Sequence, residues 1–184
     1  MRFGTLDFTP ALDSPDLLAP PTAAALRRGR AADAASRTDA TDALVSAIDP
    51  GLADTAAFCA HYEISTDDGA NCVIVQARRG DRTWYAACLV RGSDRADVNG
   101  VLRRHLDARK LSFAPMDRAV ELTGMEYGGI TPVGLPKGWP LLVDEAVVTR
   151  PYVVIGSGLR RSKLVLAGAD LARLPGAEVL ALTG

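Results

Sequence analysis

Residues 71–92, NCVIVQARRGDRTWYAACLVRG, constrain the fold more than any other stretch of the chain. Two apolar runs, NCVIVQAR and TWYAACLVRG, flank the turn signal Arg79-Gly80-Asp81. Short apolar runs bounded by turn residues read as buried strands, and this pair reads as a hairpin. Its neighbours are of both kinds. Val45–Ile48 suits a short strand, and DPGLADTAAFCAHYEI suits a helix that turns Leu52, Ala56, Phe58 and Cys59 to a core. RADVNGVLRRHLDA has a helical period, with Val98, Val101, Leu102 and Leu106 on one side and Arg103, Arg104 and His105 mostly outside. KLSFA follows as a strand, and PMDRAVELTG as a helix stopped by Gly124. PLLVDE, YVVIG, KLVLA and EVLAL read as further strands, and ADLARL as a short helix. The elements mix without a regular βαβ alternation, so the pattern predicts an α+β fold and not a doubly wound sheet.

At 184 residues the chain can bury one core, and a single domain is expected. Residues 1–44 differ from the rest, being rich in Ala, Asp and Pro and poor in large apolar residues. They are expected to form an N-terminal extension to a domain spanning 45–184. Within it Thr22–Arg30 suits a short helix capped by Thr22, and Ala31–Thr41 a solvated connector or a weakly packed helix.

Composition excludes several classes. The net charge is −1, so no global field draws the protein to nucleic acid, and contact would need local basic patches. Aromatic residues make up 5% of the chain, too few for a platform that stacks several bases. Cys59, Cys72 and Cys88 are odd in number and form no CxxC pair, which predicts reduced core thiols. With only His61 and His105 to join them, no metal site is expected. The N-terminus lacks the apolar core of a signal peptide and no apolar run reaches membrane-spanning length, so the chain reads as cytoplasmic.

The familiar catalytic templates are missing: there is no GxGxxG after a strand, no P-loop and no GxSxG elbow. Neither histidine has a nucleophile near it in sequence, and both read as exposed. One segment remains, EYGGITPVGLP at 126–136. Gly128 and Gly129 can take positive φ and carry no side chain, so backbone N–H groups can meet a ligand at close range. Thr131 precedes Pro132 and is held towards extended geometry. By itself the loop reads more readily as a turn than as a ligand site.

In order along the chain, LTGMEYGGITPVGLP, PLLVDE and YVVIGSGLRRSKLVLAGADL resemble the signature of the YbaK/prolyl-tRNA-editing family. The resemblance runs from Thr55 to about Leu182 and leaves the N-terminal segment uncovered. It implies a mixed, barrel-like β-sheet wrapped by helices, with a pocket for the 3′ end of mischarged tRNA. It further implies a free-standing, cofactor-independent aminoacyl-tRNA deacylase that hydrolyses Ala or Cys from proline tRNA. Prolyl-tRNA synthetase is a second partner the resemblance allows, and a monomer is the default.

Carried over residue by residue, the resemblance makes Gly128 and Gly129 backbone donors. Thr131, Pro132, Gly134, Gly156, Ser157, Arg160 and Arg161 become substrate-binding candidates. Asp144, which ends the strand after the loop, is expected to accept N–H bonds of that loop and hold its backbone. Two positions depart from the family pattern. Asn71 stands where the family has a strand lysine, and the chain has no lysine before Lys110. In the hairpin GSGLRRSK, Gly156 lies opposite the family's serine, Ser157 and Gly158 opposite its glycines, and Lys163 opposite its aspartate. Lys163 is therefore either the relocated cation of the site or a solvated strand-end residue. The basic groups Arg160/Arg161/Lys163, Arg103/Arg104/Arg109/Lys110 and Arg78/Arg79/Arg82 read as solvated faces, the first lying near the presumed site. Beside the deacylase stand two other functions: a catalytically altered binding module for an aminoacyl end, nucleotide or small carboxylate, and a small-molecule ester or amide hydrolase.

Overall fold

The computed structural model describes residues 1–31 and 42–183. The connector expected at Ala31–Thr41 lies almost wholly outside them. The chain opens with strands β1 (Arg2–Phe3), β2 (Leu6–Asp7) and β3 (Thr9–Pro10), helix α1 (Pro20–Ala31), strand β4 (Leu44–Ala47) and helix α2 (Thr55–His61). The long hairpin follows as β5 (Ala70–Arg79) and β6 (Arg82–Arg91), then α3 (Arg103–His105), β7 (Lys110–Phe113) and α4 (Met116–Thr123). The last third carries β8 (Leu141–Asp144), α5 (Glu145–Val148), β9 (Val153–Gly156), β10 (Ser162–Leu166), α6 (Gly168–Leu171) and β11 (Ala177–Leu180).

The hairpin forms as the sequence predicts, in register from Ala70 opposite Arg91 to Arg79 opposite Arg82. Gly80 makes the two-residue turn possible with φ +57°. It anchors a sheet of order β11-β8-β6-β5-β7, in which β8 runs parallel to both β6 and β11. A second, antiparallel sheet has the order β3-β4-β10-β9. The fold is thus a mixed α+β architecture. The two sheets meet through a bridge between Gly69 and Val154 and do not close into a barrel.

The larger sheet is covered on both faces, which explains why its strands read as continuous apolar runs. Ile74, Ala87, Leu89, Leu141 and Val143 join one core cluster with Leu164 and Ile155 of the other sheet. Val75, Ala77, Ala86, Cys88 and Leu142 point the opposite way, under Leu102 and Leu106. The helix expected over RADVNGVLRRHLDA is a π-helical turn, Val98–Leu102, running into α3. The Asp97 side chain caps it at the N–H groups of Gly100 (2.8 Å) and Val101 (3.1 Å). A wider turn still brings Leu102 and Leu106 onto the core, so the apolar spacing fits either helix type.

Other differences are local. Helix α1 starts two residues before Thr22, which is buried inside it and does not cap it. Its preceding prolines are compatible with the first turn, where an N–H is unpartnered anyway. In α2, Phe58 and Cys59 are buried as expected, but Ala56 is exposed. Helix α5 was absent from the predicted pattern, its four residues being too few to show a period. The N-terminal segment buries Phe8, Leu18, Ala23 and Leu26. Among the described residues no helix is long and apolar enough to cross a membrane.

Candidate active site

A cleft of about 740 Å³ opens where the first residues of β5 meet the start of α2, the glycine loop and the β9–β10 hairpin. Its polar groups come from Asp54, Thr55, Asn71, Gly128, Arg160 and Lys163. Its walls include Ala70, Ile74, Ala119 and Ile130. Phe113, Met116 and Tyr127 also line it, and they are exposed by 61%, 56% and 59%. Water-facing apolar groups of this size, gathered at one opening, mark a contact surface.

Lys163 is the central polar group. It lies in β10 between Ser46 of β4 and Gly156 of β9, and is 6% exposed. Its Nζ donates to the Ala53 carbonyl (2.8 Å) and stands 5.2 Å from the centre of the Phe58 ring. Burial lowers its pKa from 10.5 to about 8; Cys59 and Asp54 oppose the shift and Arg160 adds to it. The solvated strand-end reading of Lys163 is therefore incorrect. The Ala53 carbonyl that takes the ammonium immediately precedes Asp54, the N-cap of α2.

Asn71, in β5, shares the cleft, and its Oδ1 accepts a hydrogen bond from the Thr55 hydroxyl. Thr55 is the first residue of α2, so the Asp54 cap, which accepts from the Ala56 (3.0 Å) and Ala57 (3.4 Å) N–H groups, also fixes Asn71. Gly128 lines the cleft with φ +80°, and a Cβ there would stand 2.5 Å from Arg160 Nη1.

Gly129 plays a different part from the one predicted. Its N–H is spent on the Glu126 carbonyl (2.9 Å), and its carbonyl accepts from Gly158 N–H (2.7 Å). A Cβ on Gly129 would lie 2.5 Å from the Leu159 backbone, and one on Gly156 2.2 Å from the Gly129 oxygen. The glycine loop and the hairpin thus touch backbone to backbone, which only residues without side chains permit.

The remaining candidates divide. Gly156 and Arg160 line the cleft. Arg160 is tied to the Tyr127 and Pro50 carbonyls (both 3.1 Å), and its N–H to Glu126 (2.7 Å), so it braces the loop. Arg161 bonds the Asp16 carbonyl (2.6 Å), and with Lys163 buried the three basic residues form no single surface patch. Ser157 is buried and bonded to the Ser162 hydroxyl (2.7 Å). Thr131 is buried, with its N–H on Met125 Sδ (3.4 Å). Pro132 and Gly134 line a separate groove beside α1, where Gly134 packs on the Pro21 carbonyl. Asp144 was expected to hold the glycine loop, but its backbone donors are instead Ala146 (2.9 Å), as the N-cap of α5, and Leu182 (2.8 Å).

Burial raises the Cys59 thiol, and Lys163 only partly offsets it. Burial also drives Cys72 far above the ordinary range and Cys88 up to about 12, so neither offers a thiolate near neutral pH. Both histidines are exposed, His105 pairing with Glu178 (2.9 Å). Among the described residues no three His, Cys, Asp or Glu side chains gather to hold a metal ion. Thr55, Asp54, Phe58 and the Ala53 carbonyl escaped sequence reasoning. Asp54 before a helical run carried a capping signal, but nothing in the sequence aims that cap at Lys163.

The architecture has clear structural relatives. A candidate trans-editing enzyme for prolyl-tRNA synthetase superposes with a TM-score of 0.70 at 22% identity, covering 87% of this chain and 97% of its own. A protein used as a scaffold for epitope backbone grafting gives 0.72 at 20%, covering 91% and 99%. A hypothetical protein gives 0.68 at 24%, covering 76% and 90%. At these identities the likeness defines the fold. The family model of the aminoacyl-tRNA editing domain matches residues 49–174, and the chain belongs to that family.

Proposed function

We propose that this protein is a trans-acting deacylase that hydrolyses the ester of mischarged tRNA, with alanine or cysteine on proline tRNA as the substrate class. The observation that carries this reading is the enclosure of the Lys163 ammonium in one cleft with Asn71 and Gly128. Family membership supports the reaction class. The small apolar walls at Ala70 and Ala119 suit a short side chain.

In this reading the ester carbonyl oxygen approaches Lys163 and the Gly128 backbone. Water attacks the carbonyl carbon, and the ammonium offsets the negative charge that develops on the oxygen. The bond to the ribose oxygen then breaks, and that oxygen leaves as a hydroxyl carrying a proton from the attacking water. One well-aimed donor of this kind is worth on the order of 10²–10³ in rate. Asn71, at the strand position of the family lysine, and Lys163 divide between them the polar contacts of that position. Prolyl-tRNA synthetase fits as a partner that supplies the mischarged tRNA.

The test is a deacylation panel: proline, alanine and cysteine tRNAs carrying cognate and non-cognate amino acids. Turnover of the mischarged proline tRNAs is expected. No turnover above the spontaneous rate on any of them sinks the proposal. A binding module is the second reading, favoured by the bonds that already tie Lys163 to Ala53 and Asn71 to Thr55. It predicts that the panel's tRNAs bind without being hydrolysed.

A further inference from the structure

Thr55 lines the cleft with its side chain held from two directions. Its methyl sits against Gly69 and Gly92, where an added Cβ would stand 3.2 Å and 2.7 Å from Thr55 Cγ2. The Gly92 N–H donates to the Gly69 carbonyl (2.7 Å), so the two glycines form one slot. Branching at Cβ already restricts χ1, and a methyl seated in that slot sends the hydroxyl the other way, to Asn71 Oδ1. A carboxamide has one accepting end and one end with two donors. With the oxygen engaged by Thr55, the NH2 is the end left to the cleft, and among the described residues it donates to no protein group. The start of α2 favours the same orientation, since the positive end of a helix attracts the oxygen and repels the NH2.

We infer that Thr55 is a positioning residue that turns the Asn71 amide so that its N–H, and not its carbonyl, faces the cleft beside Lys163. The orientation stands on these contacts alone; its use rests on the deacylase reading. There a second donor meets the oxygen on which negative charge develops, and adds to the ammonium. A reversed amide would set a carbonyl oxygen against that charge instead. Without the Thr55 hydroxyl the reversed amide is favoured, because the ammonium in the same cleft attracts the carbonyl. The pair also accounts for a neutral residue at this strand position. An ammonium donates whichever way it turns, whereas an amide donates only if something fixes which end is forward.

Neutron diffraction from the deuterated full chain reads the orientation directly, with no ligand and no turnover. The Asn71 deuterons are expected on the cleft side and the Thr55 deuteron on Oδ1. In Thr55→Val, which keeps the branched shape without the hydroxyl, the amide is expected to turn over. Asn71 deuterons aimed at Thr55 in the wild type overturn the inference, as does an amide that stays put in Thr55→Val. The deacylation assay tests the consequence. Asn71→Leu is expected to lower kcat by about 10²-fold, the low end of one donor's worth, and Thr55→Val to approach that loss with KM little changed. Thr55→Ser, which keeps the hydroxyl, is expected to recover most of it. In an Asn71→Leu background Thr55→Val is expected to add nothing, because it acts through that amide. The same loss in both backgrounds shows that Thr55 acts by another route and overturns its positioning role. A wild type that hydrolyses no ester, with both neutron results as expected, keeps the positioning role and removes the deacylase reading. An active wild type with the Asn71 carbonyl in the cleft does the reverse.

Discussion

Lys163 carries a cost to stability that the proposed deacylation would put to use. Its ammonium is enclosed over Phe58 and bonded to the Ala53 carbonyl, and burial brings its pKa from 10.5 to about 8. The unfolded chain therefore holds the proton more tightly between about pH 8 and 10.5. Stability attributable to Lys163 rises with pH through that window, by about 3 kcal/mol at most. Lys163→Met is expected to lower kcat on mischarged tRNA by about 10²–10³. It is also expected to gain stability against the wild type near pH 7, a gain that vanishes above about pH 10.5. Denaturant titrations of both proteins across that range check the second point; a pH-independent difference between them refutes it. The wild-type rate above background is expected to fall as pH rises past about 8 and the ammonium is lost. That Asn71, Gly128 and Lys163 share one cleft was legible because their motifs occur in a fixed order. Thr55, Phe58 and the Ala53 carbonyl were not, because their role depends on where α2 docks and not on residue type.

At the scale of elements, the glycine loop and the β9–β10 hairpin behave as one unit. The Gly158 N–H donates to the Gly129 carbonyl (2.7 Å), and Gly156 lies against that same carbonyl. The paired occurrence of GG and GSG in the sequence is thus a packing requirement as much as a ligand one. Gly156→Ala puts a methyl 2.2 Å from that oxygen, inside any allowed contact. It is expected to destabilise the fold by about 1–3 kcal/mol and to reduce activity by displacing the loop from Lys163. Gly138→Ala is the comparison: its Cβ meets nothing within 4 Å, so only the strain of φ +83° remains, about 1–2 kcal/mol, with activity retained. Full activity and an unchanged melting temperature in Gly156→Ala would show that the loop does not need this contact. The strands and α4 with its Gly124 terminator (φ +65°) were readable from apolar runs and turn chemistry. The π-helical turn and α5 were not: an apolar spacing of three to four residues does not separate helix types, and four residues carry no period.

Across the whole molecule, the N-terminal segment reaches the site through the core. Its composition suggested an extension because its large apolar residues are few, yet those few are placed at the sheet. Strand β3 pairs with β4, and Phe8 packs in a cluster with Ile48, Phe58, Cys59 and Val165. That cluster includes the ring beneath the Lys163 ammonium, so the first strands bear on the cleft from behind. Phe8 is 2% exposed, and Phe8→Ala should therefore act at two levels. Deleting a buried ring costs about 3–5 kcal/mol, which lowers the melting temperature of a chain this long by roughly 6–20 °C. Well below that temperature kcat should still fall, because Phe58 can move into the vacated space and loosen the Lys163–Ala53 contact. Val179→Ala, at a side chain 43% exposed on β11, should leave both quantities near wild type. Thermal unfolding and single-turnover deacylation on the three proteins separate the effects. A Phe8→Ala protein that melts earlier but reacts at the wild-type rate confines the segment to stability. One that melts within about 2 °C of wild type removes it from the core altogether.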